Sequence, residues 1–213
     1  YLLEICNFGP HSFDDLHLKE DTHWSKRGAF LAYLEIMAKV KQFYPKAHLL
    51  KENDFNALNV LRIPPCDTAR GLHLIWHKPC EDLKYTHKDS KITEIFISPF
   101  GPDKRSYKHQ FPNGEIKRGS KKLEIDSKYL GVFTRSSRIE SPSALIIGDS
   151  FTLALSQFLA ESFQSTLLIS DKNFIALTEN GSFKDSYLLK TLKPDIVIFE
   201  SVQRGWQGMF DLY

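Results

Sequence analysis

A short stretch that ends in a serine, Ile146-Ile147-Gly148-Asp149-Ser150-Phe151, has the composition of an apolar strand that turns directly into a helix. In α/β proteins, ligands bind at the carboxyl ends of such strands. The free N–H groups at the start of the following helix stabilise negative charge on a nearby oxygen atom. Ser150 is therefore a candidate nucleophile. The alternative interpretation is that Asp149 or Ser150 only caps the helix.

A second candidate group is the segment Asp21-Thr22-His23-Trp24. If this segment is extended, Asp21 and His23 project to the same face, because side chains two residues apart in a strand point the same way. A carboxylate so placed orients the imidazole and stabilises its protonated form. Taken alone, the pair could equally be a helix cap and a hydrogen-bonded core histidine. Together with Ser150, it predicts the general base that a serine hydroxyl needs at neutral pH.

The sequence also predicts the elements that must position these groups. Ser25 is the expected N-cap of a helix that runs to about Phe43, because apolar residues recur there at intervals of three and four, and Pro45 follows. After Pro142, short apolar strands alternate with helices, which favours a parallel sheet covered on both faces. The expected strands are 144–147, 166–169 and 196–199, and the expected helices are 151–163 and 187–192.

The middle of the chain has a different character. Pro64, Pro65 and Pro79 interrupt it, a strand is expected at 94–98, and Asn113-Gly114 is typical of a tight hairpin turn. We therefore expect a single domain whose core is formed by about 1–60 and 130–213, with an irregular or β-rich insertion at about 61–130.

Composition excludes several classes of protein. The chain has 213 residues, of which 42% are hydrophobic, so one domain with a sizeable core is expected. The 28 basic and 26 acidic residues give a net charge of +2, which is too small for general nucleic-acid binding. Its apolar runs are far shorter than a membrane-spanning helix requires. Because it begins without Met, we expect the chain to be a piece of a longer protein.

The motifs taken together resemble a known family. Asp21-Thr22-His23-Trp24 with Gly28-Ala29, then Gly148-Asp149-Ser150-Phe151, then the segment 193–200 with Arg204, are similar to the SGNH-hydrolase-like domain of the alginate O-acetyltransferases AlgJ and AlgX and their DHHW-type relatives. The resemblance covers about 1–45 and 140–210, and the Asp-His block precedes the serine block, as in that branch. It implies an α/β fold, an SGNH-hydrolase-like three-layer sandwich with a mainly parallel sheet.

The resemblance also implies roles for individual residues. Ser150 would carry the acetyl group, His23 would act as general acid and base, and Asp21 would orient His23. The backbone N–H of Ser150 would form part of the oxyanion hole. Arg204 and Trp24 would contact the substrate, with an ion pair for Arg204 and a core position for Trp24 as the alternatives.

The implied function is O-acetyl transfer through a serine acyl-enzyme onto hydroxyls of a bacterial surface or capsular polysaccharide. The implied partners are a polysaccharide or oligosaccharide acceptor and a membrane-bound protein that supplies acetyl, with no nucleic acid. An acetyl donor is required but no cofactor is expected. The implied location is the bacterial cell envelope, periplasmic or membrane-associated, and a cytosolic domain that uses acetyl-CoA is the alternative. The alternative functions are a carbohydrate esterase or deacetylase with the same triad, and a non-catalytic glycan-binding domain.

Three further features of the insertion suggest chemistry less strongly. A basic run interleaved with Tyr107 and Phe111 could line a groove for an acidic polysaccharide, although such runs are commonly solvated faces. Cys66 and Cys80 could form a disulfide in an exported protein. His73, His77 and Cys80 have the spacing of helical metal ligands, but Pro79 breaks the helix, so no metal site is predicted. The basic residues of the run are Lys104, Arg105, Lys108, Lys117, Arg118, Lys121 and Lys122.

Overall fold

The computed structural model describes residues 16–18, 23–62, 80–97, 107–110, 116–119, 131–170 and 187–201. The chain divides into two compact units. The first unit comprises Tyr1–Pro45 and Leu49–Asp89, and the second comprises Lys46–His48 and Ser90–Tyr213. The boundary between Asp89 and Ser90 falls inside the expected insertion. A single domain with a central insertion stays a prediction.

In the first unit, helix α1 (Lys26–Phe43) confirms the helix expected from the apolar spacing. Ser25 is its N-cap, with extended backbone and a side-chain oxygen that accepts a hydrogen bond from the N–H of Gly28 at 3.0 Å. This bond satisfies one of the N–H groups that a helix start leaves unpaired. The buried face of the helix consists of Gly28, Ala29, Phe30, Ala32, Tyr33, Met37 and Val40.

The first unit also contains a 3-10 turn (Glu52–Asp54) and a two-stranded antiparallel sheet of β1 (Phe55–Arg62) and β2 (Cys80–His87). Aromatic rings join this sheet to the helix: the Phe55 ring lies 5.7 Å from Phe30 and 5.6 Å from Tyr85, both edge to face. Edge-to-face pairs at such distances are the preferred aromatic packing. The aromatic cluster therefore fixes α1 against β1 and β2.

The second unit is built on a seven-stranded sheet with the order β5-β4-β3-β6-β8-β7-β9. The strands are β3 (Ile92–Ile97), β4 (Tyr107–Gln110), β5 (Ile116–Gly119), β6 (Gly131–Ser136), β7 (Ser143–Gly148), β8 (Ser165–Ser170) and β9 (Ile196–Glu200). Strand β7 is parallel to β8 and β9, and the other neighbouring pairs are antiparallel. Strands therefore do occupy the middle of the chain, where a β-rich segment was expected.

The prediction of a mainly parallel sheet is not confirmed, because the sheet is mixed. Parallel pairing is confined to β8-β7-β9, where helices connect the strands and provide the crossovers that parallel neighbours require. The sequence shows this alternation only after Pro142. The four strands before it, β3 to β6, pair only antiparallel with their neighbours, and β6 joins them to β8.

Two helices, α2 (Thr152–Ser162) and α3 (Tyr187–Leu192), cover opposite faces of the parallel strands. Leu189 and Leu192 of α3 pack on one face. On the other face, the Ser136 hydroxyl donates to the carbonyl of Phe163, just beyond α2, at 2.7 Å. Since alternate strand residues face opposite ways, this part of the unit has three layers, as the resemblance implies. The core on the α3 face comprises Phe133, Leu145, Ile147, Leu167 and Ile169.

Within the described residues, no helix combines the length and the apolar character needed to cross a membrane.

Candidate active site

Ser150 is exposed on the turn between β7 and α2, at the carboxyl edge of the parallel strands. The preceding strand residues Leu145, Ile146 and Ile147 are almost completely buried. The strand ends at Gly148, and the chain reaches the surface two residues later, at Ser150. The position thus agrees with the one predicted for the nucleophile, beside the N-terminus of an 11-residue helix.

Asp149 holds the turn on which Ser150 lies. Its Oδ1 accepts a hydrogen bond from the Phe151 N–H at 2.8 Å, and its carbonyl oxygen accepts from the Thr152 N–H at 3.2 Å. A carboxylate that bonds a backbone N–H two residues ahead is an Asx-turn. The N-cap of α2 is Phe151, so Asp149 stabilises the turn just before the helix. The nucleophile assignment of Ser150 stays a prediction.

Beneath the turn lies a buried polar contact that the sequence did not reveal. Thr152 is 0% exposed, and its hydroxyl donates a hydrogen bond to Oε2 of Glu200, which is 7% exposed at the end of β9. Gly148 is paired with Glu200 in the β7–β9 register. A Cβ at Gly148 would overlap the Thr152 hydroxyl and lie 2.7 Å from the Glu200 carbonyl oxygen. Only glycine fits here, because the two elements approach so closely.

A signal for this contact does exist in the sequence. Glu200 directly follows the apolar run 196–199, and a carboxylate buried at the end of such a strand needs a partner. Thr152, in contrast, has no distinguishing feature within an apolar helix. The pairing of two residues 48 positions apart needs the strand register, which the sequence does not give.

His23 lies next to an antiparallel bridge between the segments 16–18 and 23–25, directly before α1. The N–H of Leu18 donates to the His23 carbonyl oxygen at 3.0 Å, and the N–H of Ser25 donates to the Leu16 carbonyl oxygen at 2.8 Å. His17 and Trp24 form the antiparallel bridge between these two bonds. Both His23 and Trp24 are half-buried. The backbone at His23 is therefore fixed between a two-stranded bridge and a helix N-cap.

A carboxylate from β2 contributes to the start of α1. Oδ1 of Asp82 in β2 accepts from the N–H of Lys26, the first residue of α1, at 3.1 Å and from the N–H of Leu83 at 2.8 Å. Negative charge at a helix N-terminus is stabilised by the helix dipole. Asp82 thus anchors the start of α1 to the sheet, a role with no signal in the sequence because the partners are 56 residues apart.

The other predicted site residues are outside the described residues: Asp21, Arg204, Cys66, His73 and His77. Cys80 begins β2, and its pairing with Cys66 stays a prediction. His23 belongs to the first unit and Ser150 to the second. The triad of Ser150, His23 and Asp21 is therefore a prediction, as are the substrate contacts of Arg204 and Trp24. Among the described residues, no group of three or more His, Cys, Asp or Glu is arranged to hold a metal ion.

In comparisons of sequence, no family model and no curated protein matches the chain. In comparisons of structure, the chain is similar to Bacillus cereus PatB1 with a sulfonyl adduct, with a TM-score of 0.60 and 17% identity over 88% of this chain and 60% of that one. It is also similar to a DHHW family protein from Eubacterium siraeum, with a TM-score of 0.61 and 12% identity over 92% of this chain and 62% of that one.

The O-acetyltransferase domain of Pseudomonas putida AlgJ is a weaker match, with a TM-score of 0.38 and 14% identity over 88% of this chain and 52% of that one, too low to support an inference. The resemblance to DHHW-type proteins stated from the motifs is confirmed at the level of fold. The chain spans about three fifths of the length of the PatB1 and DHHW structures.

Proposed function

We propose that this chain is the catalytic domain of a serine-dependent O-acetyltransferase, with Ser150 as the nucleophile, His23 as the general acid and base, and Asp21 as the residue that orients His23. The observation that carries the proposal is the exposed position of Ser150 on the turn between β7 and α2. A serine beside a helix N-terminus has backbone N–H groups nearby that can stabilise the oxyanion of a tetrahedral intermediate.

The fold comparisons add support of a different kind. PatB1, whose fold this chain shares, carries a sulfonyl adduct in one of its structures. Sulfonyl reagents modify strongly nucleophilic side chains, of which an activated serine is the usual example. The Asp21-Thr22-His23-Trp24 segment of this chain differs at one position from the Asp-His-His-Trp of the DHHW family name.

In the proposed cycle, Oγ of Ser150 attacks the acetyl carbonyl carbon of the donor while His23 removes the hydroxyl proton. The bond between that carbon and the donor's oxygen or sulfur breaks, and His23 returns the proton to the departing alcohol or thiol. A sugar hydroxyl then loses its proton to His23 and attacks the Ser150 ester. The acetylated sugar leaves, and the proton returns to Ser150.

The setting is proposed together with the reaction. The acceptor is a bacterial surface or capsular polysaccharide or an oligosaccharide of it, and a membrane-bound partner of the cell envelope supplies acetyl. No cofactor takes part in this cycle, because both proton transfers and the acyl group are carried by side chains.

Intact-protein mass spectrometry after incubation with p-nitrophenyl acetate tests the proposal. We expect the unaltered chain to gain the mass of one acetyl group, and Ser150→Ala and His23→Ala to gain none. Ser156→Ala is the matched control, because it removes a serine hydroxyl from α2 that donates to the Leu153 carbonyl oxygen at 2.8 Å, one turn further along the helix. An adduct in Ser150→Ala equal to that of the unaltered chain would refute the mechanism.

The same acyl-enzyme would form in an esterase, in which water is the acceptor. Transfer and hydrolysis differ in how well the site excludes water and binds a sugar. Incubation of the acetylated protein with oligosaccharides separates them. Acetylated oligosaccharide is expected for a transferase, and release of acetate without acetylated sugar would identify an esterase.

A further inference from the structure

We infer that Thr152 and Glu200 form a positioning pair for the Ser150 nucleophile, in which the buried carboxylate of Glu200 holds the first turn of α2 through the Thr152 hydroxyl. The inference rests on the proposed function, since it concerns how Ser150 is presented for acylation. Neither residue is expected to touch the substrate, because both side chains are buried.

The geometry ties three consecutive elements of the site together. Thr152 is the first residue of α2 and lies two positions after Ser150, and its hydroxyl donates to Oε2 of Glu200 at the end of β9. On the other side, Gly148 ends β7 in register with Glu200, and its backbone packs against both partners. Residues 149–151 therefore connect two points that are both fixed to β9, one by the strand register and one by the hydroxyl bond.

The burial of the pair makes this attachment stiff. Burial raises the cost of breaking it, because the group left behind loses its partner without gaining water. A fluctuation that moved the first turn of α2 away from β9 would break the hydrogen bond between Thr152 and Glu200 and would incur this free-energy cost. The pair thus opposes the displacement that would carry Ser150 away from the edge of the sheet.

A positioning role has a specific kinetic consequence. Misplacement of a reacting group by about 1 Å can lower a rate by about 100-fold without any change in the contacts that bind the reagent. Loss of the pair should therefore lower the limiting rate of Ser150 modification and leave the apparent affinity for the reagent unchanged. A residue that contributes only to global stability would alter neither quantity at a temperature where the protein is folded.

The experiment measures the rate at which phenylmethanesulfonyl fluoride modifies Ser150 over a range of reagent concentrations. Peptide mapping locates the adduct. Thr152→Val keeps the shape of the side chain and removes the hydroxyl, and Thr152→Ser restores a hydroxyl. We expect Thr152→Val to lower the limiting rate by about 10- to 100-fold with unchanged apparent affinity. Thr152→Ser is expected to react nearly as fast as the unaltered chain.

Variants of the other partner complete the test. Glu200→Gln retains an oxygen that can accept the Thr152 hydroxyl, whereas Glu200→Met has similar length and no such acceptor. The glutamine variant should react faster than the methionine variant. Thr166→Val is the matched control, because it removes a buried hydroxyl bonded to Thr134 near the start of β8, at the opposite end of the parallel strands from Ser150. It is expected to keep the limiting rate of the unaltered chain.

The outcomes distinguish the two levels of inference. If the unaltered chain is not modified at Ser150, the proposed function fails and the positioning role fails with it. If Ser150 is modified at the same limiting rate in the unaltered chain and in Thr152→Val, only the positioning role is overturned. Equal losses in Thr152→Val and Thr166→Val would also overturn it, because they would show an effect of stability alone.

Discussion

Gly148 shows how one residue can constrain the whole proposed site. A side chain at this position would overlap the Thr152 hydroxyl and approach the Glu200 carbonyl oxygen to 2.7 Å. The carbonyl oxygen belongs to the last residue of β9, which pairs with Gly148 itself, so moving it would disturb the end of the β7–β9 pairing. Glycine here is required by close approach of two elements, and the sequence alone showed it only as part of a motif.

We expect Gly148→Ala to destabilise the chain and to slow Ser150 modification. Overpacking of a buried site costs about 1–3 kcal/mol, because neighbouring atoms must shift to admit the methyl group. The free energy of unfolding from urea titrations measures the first effect, and the limiting rate with a sulfonyl fluoride measures the second. A urea midpoint equal to that of the unaltered chain would contradict the packing seen around Gly148.

Among the elements, α1 and the antiparallel bridge before it depend on each other. The Leu16 carbonyl accepts from the Ser25 N–H and also lies directly over Gly28, where an added Cβ would overlap its oxygen and lie 3.0 Å from its carbon. The hydrogen bonds of the bridge in turn fix the backbone of His23. The start of the helix therefore positions the proposed general base through backbone contacts.

We expect Gly28→Ala to destabilise the chain although alanine is the better helix former. At an open helical position this change would stabilise by up to about 1 kcal/mol. Here the sign reverses, because the methyl group displaces the Leu16 carbonyl. Urea unfolding checks the sign, and Ala38→Gly, at an exposed position of the same helix, measures the propensity effect alone. A more stable Gly28→Ala protein would refute the expected clash.

The elements that could be predicted from sequence are those with a local cause. Helix α1 and the strands β7, β8 and β9 were predicted to within one or two residues, because apolar spacing and Ser25 specify them locally. The Asn113-Gly114 pattern predicted a hairpin, and β4 and β5 on either side of it do pair antiparallel. The pairing of β6 with β3 and with β8 was not predicted, since partners far apart in sequence leave no local pattern. The same reason explains why the motif could suggest Ser150 as a candidate, whereas no local pattern predicted the Thr152–Glu200 and Asp82–Lys26 contacts.

At the scale of the whole molecule, two groups link stability to pH in the same direction. Burial lowers the pKa of His17 from its ordinary value of 6.5. Hydrogen bonds from the backbone N–H and the hydroxyl of Ser143, both at 2.8 Å, lower the pKa of the Asp195 carboxyl from its ordinary value of 3.8. A group with a lowered pKa binds fewer protons in the folded state than in the unfolded state. Stability must therefore fall as pH falls.

The two groups act in separate pH ranges, and this gives a prediction for the whole chain. Stability should begin to fall below about pH 6.5 as unfolded chains take up a proton at His17, and should fall further below about pH 4 through Asp195. Urea midpoints followed by circular dichroism across this range measure both steps. His17→Gln should flatten the first step and leave the second, and Asp195→Asn should do the reverse. If each variant retained the pH profile of the unaltered chain, neither group would be the source of the acid sensitivity.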